Sequence, residues 1–233
     1  TALALAGCGG DININTGKDE VVVPPPTTTP TQSVQEAAYS GFATRNTSLS
    51  VDGKEVWTLT GTLAPSSAAS TVGSGETGGQ DVAKIVLSTD VVWELDGAVI
   101  VGGDKENSVE LEVRAGAKVI GGSDSYLVVS RDSMIQAEGS ATQPIIFTSK
   151  ESAIGQEGKA GQWGGIVLLG NAPVNTCPDL TACDAAFEVG NHSYGGNDTA
   201  DSSGSLKYLR VEFGGFKIND TQEMNGISFA AVD

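Results

Sequence analysis

Short apolar runs separated by bends at glycine or aspartate dominate the chain from residue 83 onward. The segment 97–103, Gly-Ala-Val-Ile-Val-Gly-Gly, recurs 19 residues later at 116–122 as Gly-Ala-Lys-Val-Ile-Gly-Gly. A looser copy follows 16 residues on, where Leu127 aligns with Leu111. One unit of this size cannot bury its apolar side, whereas stacked copies can. A repeating unit of 16 to 19 residues, with each bend at the same phase, therefore predicts a coil of stacked strands.

Alternating or continuous apolar runs predict many short strands, and helical periodicity is nearly absent from residue 83 onward. Ahead of that region, Val-Trp-Thr-Leu-Thr-Gly at 56–61 alternates cleanly and predicts a strand. The other predicted strands are 83–87, 91–95, 98–101, 109–113, 117–120, 126–130, 133–136, 144–148, 165–169, 206–213 and 226–230.

The pattern predicts an all-β fold, a right-handed parallel β-helix (a solenoid) over 83–233, with a β-sandwich as the alternative. A sandwich would join long alternating runs through two-residue turns such as Asn-Gly. The bends here lie instead inside the repeating unit, at 96–97, 115–116 and 131–132. Residues 34–82 are predicted to form an N-terminal cap region with strands and a low-complexity loop at 66–80. No polar capping segment closes the end at Asp233, so we expect the coil to be truncated there.

Composition narrows the range of partners. The chain has 233 residues, of which 39% are hydrophobic, so it can bury one sizeable core. Its net charge is −16, which disfavours nucleic acid because nucleic-acid binding depends on cations that neutralise phosphates. The acidity fits solubility, or divalent-cation binding by clustered carboxylates.

The N-terminus carries a candidate lipid-attachment site. The chain opens with Thr-Ala-Leu-Ala-Leu-Ala-Gly and then Cys8, an apolar run of small residues that ends in cysteine. This segment resembles the end of a bacterial lipoprotein signal peptide, and 5–8 matches the lipobox at all four positions. The resemblance implies that 1–8 is a signal-peptide remnant and that Cys8 is lipidated. Gly9 after the cysteine resembles lipoproteins sent to the outer membrane, which predicts a lipid-anchored protein of the bacterial cell envelope or cell surface.

A linker is predicted to follow. Residues 9–33 contain a Val-Val-Val-Pro-Pro-Pro-Thr-Thr-Thr-Pro run, and prolines favour an extended, solvated backbone with nothing to pack against. We therefore expect a disordered Pro/Thr-rich tether between the lipid and the coil. No later segment approaches the roughly 18 apolar residues that a membrane-spanning helix needs.

Two longer segments resemble a known family. Residues 137–149, Ala-Glu-Gly-Ser-Ala-Thr-Gln-Pro-Ile-Ile-Phe-Thr-Ser, precede 161–175, which begins Gly-Gln-Trp-Gly-Gly-Ile-Val-Leu-Leu-Gly. Together with 206–215 and 225–229 they resemble bacterial surface lipoproteins with pectate-lyase-like β-helices, a family of largely uncharacterised function. The resemblance covers about 85–233 and implies the fold. It implies little about activity, because such coils host lyases, hydrolases, adhesins and inert stalks.

Three candidate features lie in the loops of this region. Cys177 and Cys183 enclose five residues and, in an exported protein, predict a local disulfide, with zinc binding as the alternative. Trp163 between glycines predicts a packing role over a neighbouring rung, with glycan stacking as the alternative. Oxygen-rich residues are Ca²⁺ ligands, so Asn197, Asp198 and Asp201 are a candidate calcium site beside the solvated His192. No other cofactor is predicted.

The best candidate catalytic group lies in the strand predicted at 206–213. Alternation places Tyr208, Arg210 and Glu212 on one side of that strand, where a lyase or glycosidase would need a base and carboxylates. The alternative is an ion pair on an outer sheet. The sequence therefore predicts a surface lipoprotein with a structural, adhesive or glycan-binding role. Its partners would be a membrane through the lipid anchor and a polysaccharide or surface protein. The rival is a polysaccharide lyase or glycoside hydrolase acting on acidic glycans.

Overall fold

The computed structural model describes residues 38–64, 70–72, 82–176, 184–217, 219 and 222–233. They belong to one compact unit, Gln32–Asp233. Cys8, the 9–33 tether, and the cysteines at 177 and 183 lie outside the described residues, so lipidation, tether and disulfide stay predictions.

Short strands make up nearly all of the regular structure. Their apolar runs alternate between buried and partly exposed positions, as in Val109–Val113. The strands are β1 (Thr44–Val51), β2 (Lys54–Leu63), β3 (Ser70–Val72), β4 (Val82–Leu87), β5 (Val92–Val101), β6 (Val109–Val113), β7 (Lys118–Gly121), β8 (Tyr126–Val129), β9 (Met134–Glu138), β10 (Ile145–Ser149), β11 (Ile166–Leu169), β12 (Ala185–Ala186), β13 (Ser193–Tyr194), β14 (Gly204–Lys207), β15 (Leu209–Val211) and β16 (Ile227–Ala230), and helix α1 is Lys150–Ala153.

The strands wind as a coil with three sides. Side 1 stacks β4, β6, β9 and β14 in parallel. Side 2 stacks the first halves of β2 and β5 with β7, β10 and β15. Side 3 stacks their second halves with β8, β11 and β16. The fold is therefore a parallel β-helix, as predicted. Within the described residues, antiparallel pairing joins only β1 to β2, β3 to β4, β12 to β13, and Lys217 to Glu223.

One full turn of the coil is longer than the repeating unit predicted from the sequence. Paired residues in the compact rungs are 24 to 28 positions apart, not 16 to 19. Gly97 turns the chain from side 2 to side 3, Gly116 from side 1 to side 2, and Asp132 from side 3 into the next rung. The prediction that these bends share one phase is wrong. They resemble one another because each corner needs a left-handed residue, with φ of 66°, 82° and 62° respectively.

The core consists of inward side chains that stack from rung to rung. On side 2, Trp57 lies level with Trp93, which lies level with Val119, and Phe147 follows. All four are fully buried. Burying each such side chain contributes about 1.5–3 kcal/mol, so the column alone strongly favours this register.

The two ends of the coil differ. At the N-terminal end Tyr39 packs edge-on against Trp57 and Trp93, with ring centroids 5.2 and 4.9 Å apart. Its hydroxyl also lies 2.7 Å from Ser88 Oγ. At the other end, the inward side chains of the last rung are less covered, and Phe229 is 58% exposed.

The strand predicted at 206–213 is interrupted. Tyr208 has a φ of 50° and separates β14 from β15, so one residue makes the corner between sides 1 and 2. Tyr208 therefore does not share a strand surface with Arg210 and Glu212, and that part of the predicted catalytic group is wrong.

Candidate functional site

The outer surface of side 3 is covered by the chain that follows it. Outward residues of this side, such as Val128 and Val167, are apolar and fully buried. We call this covering chain the cover. It contains the β12–β13 hairpin, which belongs to the connection between β11 and β14. The apolar cluster between coil and cover comprises Ile100, Tyr126, Val128, Val167, Leu169, Phe187, Val189, Tyr194, Phe216, Met224 and Ala230.

An arginine beneath the cover holds the hairpin to the coil. Arg131, at the corner after β8, is only 3% exposed. Its Nε and Nη2 donate to the two carboxylate oxygens of Asp104 at 2.6 and 2.9 Å, and its Nη1 donates to the carbonyl of Gly195 at 2.8 Å. The same Nη1 contacts the carboxylate of Asp184, immediately before β12. These bonds connect two turns of the coil to both ends of the hairpin.

The charges of this network stabilise one another. The hydrogen bonds that Arg131 donates to Asp104 raise the pKa of Arg131 more than burial lowers it, and Asp184 adds to the increase. In return, the Arg131 guanidinium lowers the pKa of Asp184. Arg131 and Asp184 are therefore ionised at neutral pH, and the bidentate pairing with Arg131 fixes the position of Asp104.

A second polar network fastens the far end of the covering segment. Asn171 Nδ2 donates to Asp132 Oδ1 at 2.6 Å, and the amide of Asp198 donates to the carbonyl of Asn171 at 3.0 Å. Burial raises the pKa of Asp201 in the same place. Hydrogen bonds from Asn171 oppose that increase, and the charges of Asp198 and Asp132 add to it.

Between the hairpin and side 3 lies a cleft of about 150 Å³, which we call the hairpin cleft. Its apolar lining includes Ile100 and Leu169, and its polar lining includes Thr62, Asn191 and His192. Among the described residues, no hydrogen bond engages the side chains of Thr62, Asn191 or His192. Gly102, Gly103, Asp104, Ser130 and Ser193 complete the lining.

His192 is partly buried in the wall of the cleft. Its ring lies edge-on to Tyr126, with centroids 6.4 Å apart. Burial lowers the pKa of His192, and the negative charge of Asp104 opposes this shift in part. The imidazole is therefore neutral at neutral pH, with one nitrogen that donates and one that accepts hydrogen bonds. Burial likewise raises the pKa of Tyr126, so its hydroxyl also stays neutral.

The residues predicted for catalysis lie elsewhere, on side 2. Arg210 contacts the carboxylate of Glu212 two positions along the chain. Tyr208 is 62% exposed at the preceding corner. Arg210 and Glu212 thus form an ion pair on an outer sheet, which is the alternative that the sequence left open.

Two of the residues predicted for calcium have protein partners in the structure. Asp198 Oδ1 accepts a hydrogen bond from the amide of Ala200 at 2.9 Å, while Asp201 is oriented towards Asn171. In the part of the chain that the structure describes, no three His, Cys, Asp or Glu side chains are grouped to hold a metal ion. Asn197 is exposed on the same loop.

Trp163 is a core residue. Its ring is fully buried and stacks on Phe147 at a centroid distance of 6.4 Å, and its Nε1 donates to the carbonyl of Glu212 at 2.8 Å. It therefore has no ring surface open to a sugar. The glycan-stacking alternative is wrong, because the ring packs between rungs instead of facing solvent.

Sequence reasoning missed the hairpin cleft and the arginine that fastens its cover. The one local signal was Arg131 itself, a cation two positions after the apolar run of β8 ends at Val129. Its partners Asp104 and Asp184 lie 27 and 53 positions away, too far for any local pattern to connect them.

Comparisons with known proteins support the parallel β-helix fold. The described part of the chain contains no candidate membrane-spanning helix. A search of curated proteins and a search of solved structures found no match to this chain. The family model described as a pectate-lyase like beta helix domain matches residues 79–233, which is more than half of the chain. With four parallel rungs in the same region, the chain belongs to the pectate-lyase-like β-helix domain family.

Proposed function

We propose that this protein is a lipid-anchored β-helix of the bacterial cell surface that binds glycans without cleaving them. The hairpin cleft is the observation that carries the binding role. It combines apolar side chains with unengaged polar groups, which is the composition of small-molecule sites in general. It also lies against a rigid sheet, so its shape is set before a ligand arrives.

Sugars suit this combination of groups. A sugar ring has an apolar face of C–H groups and a periphery of hydroxyls. The partly exposed Ile100 can contact the apolar face, while Asn191 and His192 can exchange hydrogen bonds with the hydroxyls. Phosphate-rich partners fit poorly, because the chain carries a net charge of −16.

The anchoring half of the proposal is supported by the lipobox at 5–8 and the Pro/Thr-rich stretch at 9–33. Diacylglyceryl and N-acyl chains on Cys8 would hold the protein on a bilayer, since two or more chains give stable anchoring where one does not. The test is incorporation of labelled palmitate by the full-length precursor in cells. Label should be present in wild type and absent in Cys8→Ser; equal label in both would overturn the anchor.

Glycan binding is tested by incubating the protein with an immobilised panel of neutral and acidic polysaccharides. We expect wild type to bind at least one glycan and the double variant Asn191→Ala, His192→Ala to lose about tenfold or more in affinity. Gln136→Ala on the outer surface of side 1 is the matched control and should bind like wild type.

The same panel separates binding from catalysis. Shortened glycan chains after prolonged incubation would contradict the proposal and favour the lyase or hydrolase alternative. In that case Arg210→Ala and Glu212→Ala should abolish the shortening if the exposed pair on side 2 is responsible. Absence of any bound glycan would overturn the binding role altogether.

A further inference from the structure

We infer that the hairpin cleft accepts one uncharged six-membered sugar ring and discriminates against acidic sugars. This inference rests on the proposed glycan-binding function and specifies its ligand. It follows from four properties of the cleft: its size, its apolar lining, the protonation state of its rim, and the neutralisation of its one carboxylate.

Size limits the ligand to a single ring. The cleft has a volume of about 150 Å³. A protein cavity of about 150 Å³ holds benzene, a six-membered ring, whereas sites for drug-sized ligands begin at about 300 Å³. A disaccharide would therefore leave its second ring outside. The cleft suits a terminal residue or one ring of a longer chain.

The apolar lining comes from the outer surface of the coil. Leu169 is buried, and Ile100 is partly exposed beside the cleft. Strand pairing holds Ile100 level with Thr62 and Val128, so these side chains cannot move apart without breaking the sheet. A sugar ring lying on Ile100 would remove apolar area from water on both partners, while Leu169 forms the floor beside it.

The rim offers hydrogen bonds without charge. Asn191 supplies a carbonyl oxygen and an amide group, Thr62 a hydroxyl, and His192 a neutral imidazole. Each of the three both donates and accepts, which matches hydroxyl groups and not a carboxylate. A carboxylate placed here would accept only, and would leave the rim acceptors facing its negative charge.

The single carboxylate in the lining does not change this preference. Asp104 has both oxygens bonded to Arg131, at 2.6 and 2.9 Å, so the pair is internally neutralised. Arg131 is itself buried and directs its remaining donors to Gly195 and Asp184. Among the described residues of the lining, none supplies a free cation for an acidic sugar, and Lys105, which follows Asp104 in the chain, is paired with Asp184. The net charge of −16 adds a repulsion at longer range.

The experiment uses methyl glycosides of neutral hexoses and the corresponding methyl uronides as soluble probes, observed by ligand-detected NMR. Wild type should bind at least one neutral glycoside and bind its uronide at least about tenfold more weakly. Thr62→Ala and Asn191→Ala should each weaken the neutral glycoside about three- to tenfold. Gln136→Ala should have no effect.

A third variant fills the site. Ser193→Trp places a large ring beside the rim and should abolish saturation transfer to the glycoside while leaving the circular dichroism spectrum and melting temperature unchanged. A uronide that binds as well as its neutral partner would overturn the inference, as would glycoside binding that survives in all three cleft variants. If the polysaccharide panel reports binding in such a case, the proposed function stands although the inferred ligand does not. Only a protein that fails on the panel as well would refute both.

Discussion

Sides 1 and 3 of the coil share the same rungs and the same parallel pairing, yet their outer surfaces differ. On side 1 most outward residues are polar, and Lys84 Nζ lies 2.8 Å from Glu110 and 2.6 Å from Glu112 on the next rung. On side 3 the outward residues at the same levels include Val128 and Val167, which are buried under the hairpin.

Inward and outward residues of the strands therefore have different structural roles. Inward residues are apolar on both sides, so they specify the rungs and their register. Outward residues decide whether the sheet stays exposed to solvent or is covered by the connecting chain. On side 1 the charged side chains are already in ion pairs. On side 3 the cover leaves polar side chains of the hairpin cleft without hydrogen-bond partners among the described residues.

The largest effect is expected from a charge placed beneath the cover. Val167→Asp puts an unpaired carboxylate among apolar side chains and should reduce the free energy of unfolding by about 3 kcal/mol or more. The outward position Gln136 on side 1 is the matched site. Gln136→Asp should change the same quantity by no more than about 1 kcal/mol, because the side chain is only partly buried and the main cost is repulsion from Glu112, which is level with it on the next strand. Urea denaturation measures both, and equal losses would show that the two surfaces are not different in kind.

The next effect is a local release of the hairpin. Arg131→Met removes the buried cation that holds Asp104 and the carbonyl of Gly195, so the amides of β12 and β13 should exchange with solvent about tenfold faster. Arg114→Met on side 1 breaks only an exposed pair with Glu112 and should leave exchange in β6 nearly unchanged. Hydrogen–deuterium exchange followed by mass spectrometry is the measurement. Unaltered protection of the hairpin in Arg131→Met would mean that apolar packing alone holds the cover.

A smaller effect should come with pH. The folded state lowers the pKa of His192, so the unfolded chain binds this proton more readily. Stability from this group is fully present above the ordinary value of about 6.5 and declines as pH falls through the lower folded pKa. His192→Gln should remove that decline from the unfolding free energy measured between pH 8 and 5.

Asp201 acts in the opposite direction. Its raised pKa means that its contribution is present at low pH and is lost as pH rises through the folded value. The difference between wild type and His192→Gln therefore isolates the histidine, which is the sole one in the chain. Identical pH profiles for the two proteins would place His192 in solvent and contradict the described cleft.

The smallest effect concerns the ion pairs of side 1. Lys84→Met should cost about 0.5 kcal/mol, because partly exposed pairs contribute little. The loss should shrink as salt is raised, since mobile ions screen such charges. A loss above about 2 kcal/mol, or one insensitive to salt, would show that side 1 depends on its charges as much as side 3 depends on its apolar cover.

Strand positions could largely be predicted from the sequence, because each strand carries its own alternation. The run at 109–113 coincides with β6, and 98–101 with the second half of β5. The rung length was not predictable in the same way. Corners between different sides use the same kind of left-handed residue, so Gly97 and Gly116 look equivalent although they turn different corners.

The hairpin cleft could not be predicted, because it depends on contacts between distant segments. His192 lies in a loop rich in polar residues, which locally indicates a solvated side chain. Only the apolar outer surface of side 3 draws this loop inward and partly buries the ring. The break at Tyr208 could not be predicted either. The alternation of polar and apolar residues continues through this position in the sequence, but the positive φ of Tyr208 ends the strand there.

The positions of the three tryptophans make the two ends of the coil separately observable by intrinsic fluorescence. Trp57 and Trp93 pack against Tyr39 at the N-terminal end, whereas the Trp163 indole donates a hydrogen bond to the backbone carbonyl of Glu212 in the last rung. Replacing the first two with phenylalanine would leave one emitter whose spectrum responds when that rung detaches. The time course of the red shift in Trp163 emission would show which end of the coil unfolds first.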